Sequence, residues 1–353
     1  MAYLLLFCSI ISYSYFFKPS KQKLKHFIPF FIPIGILLIM IYGLQYDVGS
    51  DYFSYLRLAD GTKDIEFLLG KFEILFVFLV LFVRKLNCPQ LIFVFTAIIQ
   101  VIFFMLITYE VKKMGFRLDY YFFLYFTLSL VFFNQFNGIR QYTAVYIIIY
   151  ALFKLMKGKK YLYTILVLVA SLFHVSAWIF FVFLLLDKLL IKEIPKKFII
   201  VAIIVLFILS LFDLTKYYKI IIQYIPQYRS YIGSSYMKRL SFQGIITKIP
   251  KLMIVLYCAL GLDMEKQDIK KRYLINISYM ACSIMVLSFT SSIIWRFYQY
   301  FDFFIIFPVM IFANNKRKIR QIKFISLLLI IMIIIKILVI PRGEYLYNSI
   351  FHW

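Results

Sequence analysis

The chain has 353 residues, of which 63% are hydrophobic and 21% aromatic, and its formal charge is +24. Its polar residues are too few to cover so much apolar surface, which excludes a soluble globular domain and predicts an all-α polytopic membrane protein. The lysines and arginines stand in short clusters between apolar runs, a pattern typical of cytoplasmic loops and of attraction to anionic membrane lipids, and not of nucleic-acid binding.

The first apolar run, 3–17, lacks a basic start and a small-residue cleavage site, so we interpret it as a retained span and not as a signal peptide. The lysine-rich stretch 18–25 is then cytoplasmic and places the N-terminus outside. The next run, 27–44, crosses outward and leads to a predicted external loop, 46–66.

Four further apolar runs follow this loop, at 67–83, 91–108, 120–136 and 139–156. Five runs therefore separate the basic stretch 18–25 from the next one, 157–160, whereas two cytoplasmic stretches require an even number of crossings. We expect one of the runs between 67 and 136 to re-enter or to lie along the membrane.

The run 161–186 has His174 in its middle, and it is either one tilted span or a hairpin of two arms. The absence of glycine and proline favours one span, but one span would place all later lysine and arginine clusters outside. Because those clusters recur, we predict the hairpin. The later runs are 198–212, 245–262, 273–289, 297–312 and 324–340, with a second external loop at 213–244.

This topology predicts a single integral membrane domain, 1–353, of roughly 10–13 transmembrane or re-entrant helices by the length a span needs. Its outer face gathers Arg140, His174 and Arg296, and ionisable side chains at such places are candidates for function. Each arginine is either a planar donor to phosphate oxygens or an interfacial side chain that snorkels to water.

Two residues of the outer face, Asp51 and His174, can move protons. Asp51, in the external loop 46–66, is a proton acceptor or a helix cap. His174 is a proton-transfer group or a core histidine bonded to a backbone carbonyl. Glu73 is expected to pair with a cation in or near the membrane, with no role assigned.

Several reaction classes have no support in the sequence. It contains no glycine-rich phosphate loop, no HExxH motif and no serine elbow, and it has only three histidines. We therefore expect neither a metal nor another cofactor. Arginines beside aromatic side chains on the outer face favour a phosphate-bearing glycolipid as the substrate.

Five motifs occur in a characteristic order: Val48-Gly49-Ser50-Asp51-Tyr52, Glu73, Phe136-Asn137-Gly138-Ile139-Arg140-Gln141, Phe173-His174-Val175-Ser176-Ala177, and Arg296-Phe297 followed by Tyr300-Phe301. Together they resemble the EpsG family, Wzy-like polymerases of bacterial exopolysaccharide, capsule and O-antigen repeat units. That family usually has an arginine shortly before the first motif. This chain has Gln45 there, and Arg57 is the nearest substitute cation.

The resemblance implies a metal-independent glycosyltransferase of the bacterial cytoplasmic membrane, with a GT-C-like helical bundle and its active face outside. Its substrates would be oligosaccharides linked to undecaprenyl pyrophosphate, and its pathway partners a chain-length regulator and a flippase. Arg140 and Arg296 would bind the pyrophosphate, and Asp51 or His174 would act as general base. Substrate binding would also involve Gln141, Tyr52 and Tyr300.

Two rival functions remain open from the sequence. A flippase or transporter for the same glycolipids would use the cations as a binding path without chemistry, and it would be favoured by inverted repeats with broken helices, which we do not detect. A membrane acyltransferase would use His174 on an acyl donor, and it would need a tunnel facing the cytosol.

Overall fold

The computed structural model describes residues 2–19, 23–224, 229, 231–234, 237–339 and 343–351. The side chains of Gln243 and Lys316 are not among the described atoms. Over these ranges the chain is α-helical with short 3-10 and π-helical segments, and its only β-structure is an isolated bridge between Gln45 and Ser349. The predicted all-α polytopic membrane fold is confirmed.

The chain divides into two compact units, Met1–Leu184 with Leu329–Trp353, and Leu185–Leu328. The single integral membrane domain that the sequence predicts, with external loops 46–66 and 213–244, stays a prediction. Residues 225–228, 230, 235 and 236 of the second loop lie outside the described residues.

The helices of the first unit begin near the N-terminus. They are α1 (Ala2–Phe16), α2 (Leu24–Gly43), α3 (Tyr52–Asp60), α4 (Glu66–Leu69), α5 (Ile74–Lys85), α6 (Leu91–Lys113), α7 (Leu118–Thr127), α8 (Val131–Asn134), α9 (Ile139–Leu155), α10 (Lys160–Phe173) and a 3-10 helix, Val175–Val182. Every residue of α9 is buried except Arg140 and Tyr150, so α9 is the core helix of this unit.

The helices α11 (Phe183–Leu190) and α19 (Ile319–Ile334) each include a boundary between the units. Those between them are α12 (Lys196–Ser210), α13 (Thr215–Gln223), α14 (Phe242–Ile246), α15 (Ile249–Leu260), α16 (Ile269–Leu287), α17 (Ser292–Tyr298) and α18 (Ile306–Ala313). A π-helical segment, Ile335–Val339, continues α19.

By length and composition, three helices of the described chain can each cross a membrane: α2, α6 and α19 with its continuation to Val339. The pair α12 and α13 qualifies as a fourth, with a bend of 94° between them. Other apolar runs are divided into shorter helices. The run 120–136, for example, forms α7 and α8.

The run 161–186 folds as the predicted hairpin. Its first arm, α10, ends at His174, which has an extended backbone with φ −153° and ψ 119°. The Tyr163 hydroxyl then donates to the Phe180 carbonyl oxygen at 2.5 Å. A continuous helix would hold these residues about 25 Å apart, because it rises 1.5 Å per residue. The chain therefore reverses at His174, although no glycine or proline stands there.

Candidate active site

One buried carboxylate joins two of the residues that the sequence singles out. The Glu73 side chain has no exposed surface, and its Oε2 forms an ion pair with the Arg140 guanidinium. Its Oε1 lies 2.6 Å from His174 Nδ1 and also accepts from the Val175 backbone N–H at 3.3 Å. The expectation that Glu73 pairs with a cation is confirmed, and this Glu73–Arg140–His174 cluster is the candidate active site.

Three breaks between helices bring these side chains together. Glu73 directly precedes α5, and the chain enters that position through Phe72, whose φ of 59° lies in the left-handed region. A phenylalanine rarely adopts this conformation, so the local strain is maintained by the surrounding contacts. Arg140 lies in the first turn of α9, and His174 lies where α10 ends.

The cluster is well shielded from solvent. The Arg140 side chain is 17% exposed and that of His174 is 12% exposed. A snorkelling arginine would extend its guanidinium to water, whereas Arg140 turns its guanidinium to a buried acid. Two aromatic rings, those of Phe67 and Phe76, also lie 5.8 and 5.6 Å from the guanidinium carbon. The Tyr55 hydroxyl interacts with the same arginine.

The contact with Glu73 determines the chemistry that His174 can perform. An ionised carboxylate only accepts hydrogen bonds, so His174 Nδ1 is the donor and Nε2 is the basic ring nitrogen. The carboxylate also stabilises the imidazolium that forms when Nε2 takes a proton. Arg140 supplies a permanent positive charge next to the imidazole. The cluster therefore combines a histidine ring nitrogen that can accept a proton with a permanent positive charge beside it.

Asp51 is held close to the start of α9 by Asn137, three residues before Arg140. The Asn137 Oδ1 accepts from the Asp51 backbone N–H at 2.9 Å and from the Ser50 hydroxyl at 3.1 Å. Gly49 lies against Asn137 and has a φ of 78°. Asp51 occupies the N-cap position of α3 but makes no side-chain cap hydrogen bond. The backbone of Asp51 is thus anchored, and its carboxylate is not used to cap the helix.

Other predicted binding residues of the first unit lie inside the protein. Tyr52 is 1% exposed, and its hydroxyl donates to Gln90 Oε1 at 2.9 Å. Gln141 is 7% exposed on α9. Gln45, for which no binding role is predicted, is 1% exposed and donates to the Tyr42 carbonyl oxygen. The substrate-binding roles of Tyr52 and Gln141 stay predictions.

The remaining predicted site residues, Arg296 and Tyr300, belong to the second unit. Arg296 donates from Nη1 to the Tyr231 hydroxyl at 3.2 Å, and Tyr300 is completely buried. Their roles also stay predictions. In the same unit a buried ion pair joins Lys251 to Asp302, a pair that the sequence reasoning did not identify.

Sequence reasoning assigned no function to Glu73, although Glu73 connects Arg140 to His174. The available signal was a single acid inside the apolar run 67–83, which indicates that Glu73 needs a partner but does not identify the partner. Within the described residues no group of three or more histidine, cysteine, aspartate or glutamate side chains is arranged to hold a metal ion. The metal-independent reaction stays a prediction.

The model of the EpsG family matches residues 27–351, nearly the whole chain. No curated protein and no solved structure matches the chain significantly.

Proposed function

The chain belongs to the EpsG family, whose members are Wzy-like polysaccharide polymerases, and we propose that it joins lipid-linked oligosaccharide repeat units by glycosyl transfer. In this proposal the lipid carrier is undecaprenyl pyrophosphate, and the reaction takes place at the outer face of the bacterial cytoplasmic membrane. The observation that supports this proposal best is the Glu73–Arg140–His174 cluster. It places a basic ring nitrogen and a fixed positive charge on one buried carboxylate. A base that deprotonates the acceptor hydroxyl and a cation that neutralises the leaving pyrophosphate both assist glycosyl transfer.

In this reaction the acceptor sugar hydroxyl attacks the anomeric carbon of the donor glycan. Its proton passes to His174 Nε2, and the bond between the anomeric carbon and the pyrophosphate oxygen breaks. The leaving pyrophosphate keeps the electron pair, and Arg140 neutralises the charge that develops on it. Glu73 holds both partners in place, so their geometry is set before the substrate binds.

Asp51 is the alternative base, since its carboxylate is not used as a helix cap. Arg296 is assigned to pyrophosphate as well, and Gln141, Tyr52 and Tyr300 to substrate binding. We assign no metal and no other cofactor to the reaction. Within the same proposal the chain works with the flippase and the chain-length regulator of its pathway.

The test is a polymerisation assay with the full chain in proteoliposomes and a synthetic repeat unit on a polyprenyl pyrophosphate. Wild-type protein should produce a ladder of lipid-linked oligomers, and His174→Ala should leave single repeat units at equal protein abundance. A ladder of normal length from His174→Ala would assign the base to Asp51. Translocation of a labelled glycolipid without any oligomer would show a flippase instead.

A further inference from the structure

Lys63 is half-buried and is held in place by three hydrogen bonds, one through its ammonium group and two through its backbone. Its Nζ donates to the Ser54 hydroxyl at 2.7 Å. Its backbone N–H donates to the Arg57 carbonyl oxygen at 2.8 Å, and its own carbonyl oxygen accepts from Arg84 Nη2 at 2.9 Å. Arg84, in the last turn of α5, also donates to the Leu58 carbonyl oxygen in α3. One arginine therefore bonds both α3 and the loop that follows it. The position of Lys63 is therefore built into the fold.

Lys63 and Arg140 share an aromatic ring. The Lys63 Nζ lies 5.3 Å from the centre of the Phe67 ring, and the Arg140 guanidinium carbon lies 5.8 Å from the same centre. The two cationic groups are thus no more than about 11 Å apart. Phe67 is itself 39% exposed, so the ring that they share lies at the surface of the candidate site.

The charge around Lys63 is unbalanced. None of the ion pairs of the described chain includes Lys63. Burial, followed by the positive charges of Arg57 and Arg140, lowers the pKa of Lys63, and Asp51 opposes this shift. Because Lys63 forms no ion pair within the described chain and lies near a second cation, its ammonium group would gain electrostatic energy from a bound anion.

We propose that Lys63 and Arg140 form the two sides of a pyrophosphate-binding clamp over Phe67. A pyrophosphate offers one charged group to each cation, whereas a single phosphate offers one group for both. Arg140 is partly neutralised by Glu73, and Lys63 supplies the positive charge that this pairing removes. The claim that the clamp binds the lipid-linked donor rests on the proposed function. The claim that it binds pyrophosphate does not depend on that function.

Calorimetric titration of the detergent-purified full chain tests the clamp, with inorganic pyrophosphate and orthophosphate as the two probes. Lys63→Gln should weaken pyrophosphate binding roughly 10- to 100-fold, as expected for a lost charge-assisted hydrogen bond, and should change orthophosphate binding much less. Lys63→Arg should retain most of the affinity. The matched control is Lys85→Gln, an exposed lysine at the end of α5, which should bind both probes like the wild type.

Wild-type affinity for pyrophosphate in Lys63→Gln would overturn the clamp. If Lys63→Gln does not fold, Ser54→Ala decides the matter. This variant releases the ammonium group without removing its charge, so pyrophosphate binding should weaken severalfold, and unchanged binding would reject the proposal.

A parallel polymerisation assay separates the two proposals. If the wild type makes no oligomer but its pyrophosphate binding depends on Lys63, the proposed polymerase function fails and the clamp stands. If the wild type makes oligomers, and Lys63→Gln matches it in kcat/KM and in pyrophosphate affinity, the clamp fails and the function stands.

Discussion

The His174 imidazole and the Glu73 carboxylate, 101 residues apart in the sequence, meet at 2.6 Å. The same carboxylate pairs with Arg140, 67 residues along the chain from Glu73. Glu73 therefore sets the position of both groups to which we assign the chemistry.

Glu73→Gln should abolish most of the activity and also destabilise the protein. The substitution keeps the shape of the side chain but leaves Arg140 without its acid, and breaking a buried ion pair from one side costs about 3–5 kcal/mol. His174 also loses the carboxylate that supports its imidazolium, so the polymerisation rate should fall about 100-fold or more. The rate is measured per folded molecule, and thermal unfolding in detergent is followed in parallel.

Glu110→Gln is the matched control for Glu73→Gln. Glu110 is also a buried acid with two cationic partners, Lys154 at 2.6 Å and Lys157. Its loss should lower the melting temperature comparably, but the folded molecules should polymerise at nearly the wild-type rate. Equal losses of rate in both variants would contradict the assignment of Glu73 to the active site.

Arg140→Lys tests whether the planar guanidinium is needed. A lysine keeps the positive charge but lacks the planar guanidinium, which donates through several N–H groups at once. It therefore cannot bind Glu73 and a phosphate in the same geometry. We expect kcat/KM to fall about 10-fold or more, equivalent to one charge-assisted hydrogen bond. If Arg140→Lys turns over as fast as the wild type, a bidentate hydrogen bond from Arg140 to pyrophosphate is excluded.

Gly49→Ala should displace the loop that carries Asp51. The φ of Gly49 is 78°, and an added Cβ would lie 3.1 Å from Asn137 Oδ1 and 3.2 Å from its Cα. The left-handed conformation alone costs an alanine about 1–2 kcal/mol. The contact with Asn137 adds to that cost and pushes the Asp51 anchor, so both stability and polymerisation should fall.

Gly158→Ala separates these two contributions. Gly158 has a similar φ of 71°, but an added Cβ would meet nothing within 4 Å. Chemical unfolding of both variants should therefore show a larger loss for Gly49→Ala. A Gly158→Ala protein that is equally destabilised would mean that the contact with Asn137 contributes nothing.

The free energies of unfolding of Lys251 and Asp302 variants should show that the two buried charges are coupled. Lys251 and Asp302 pair at side-chain exposures of 5% and 1%, and the Tyr298 hydroxyl donates to Asp302 at 2.5 Å. Lys251→Met alone leaves a buried carboxylate unpaired and should cost about 3–5 kcal/mol. Adding Asp302→Asn removes that charge and keeps an acceptor for Tyr298, so much of the stability should return. Strictly additive losses would contradict a direct coupling of the two charges.

Cysteine labelling tests the orientation in the membrane. In a background with Cys8 and Cys88 replaced by serine, Thr62→Cys in intact cells should react with a membrane-impermeant maleimide. Lys159→Cys, in the basic stretch 157–160, should react only after permeabilisation. The reverse pattern would place the Glu73–Arg140–His174 cluster on the cytoplasmic side and reject the proposed outer active face.

Local patterns in the sequence predict the class of fold, the hairpin at His174 and two of the three residues of the Glu73–Arg140–His174 cluster. The apolar runs predict a helical membrane protein because lipid requires every backbone group to be bonded within the segment. The charge clusters predict the hairpin at His174, which the contact between Tyr163 and Phe180 confirms. Arg140 and His174 were conspicuous because ionisable groups are expensive among apolar neighbours.

Contacts between distant segments were decided only by the tertiary structure. The sequence cannot show that Glu73 binds Arg140 and His174, because pairing depends on which helix breaks meet in space. It cannot show either that Tyr52 is buried against Gln90, or that Lys63 and Arg140 lie over one ring. Composition and charge determine that the chain enters a membrane and which groups are costly there. The packing of the helices determines which of those groups share a site, because only in the folded chain do they come within hydrogen-bonding distance.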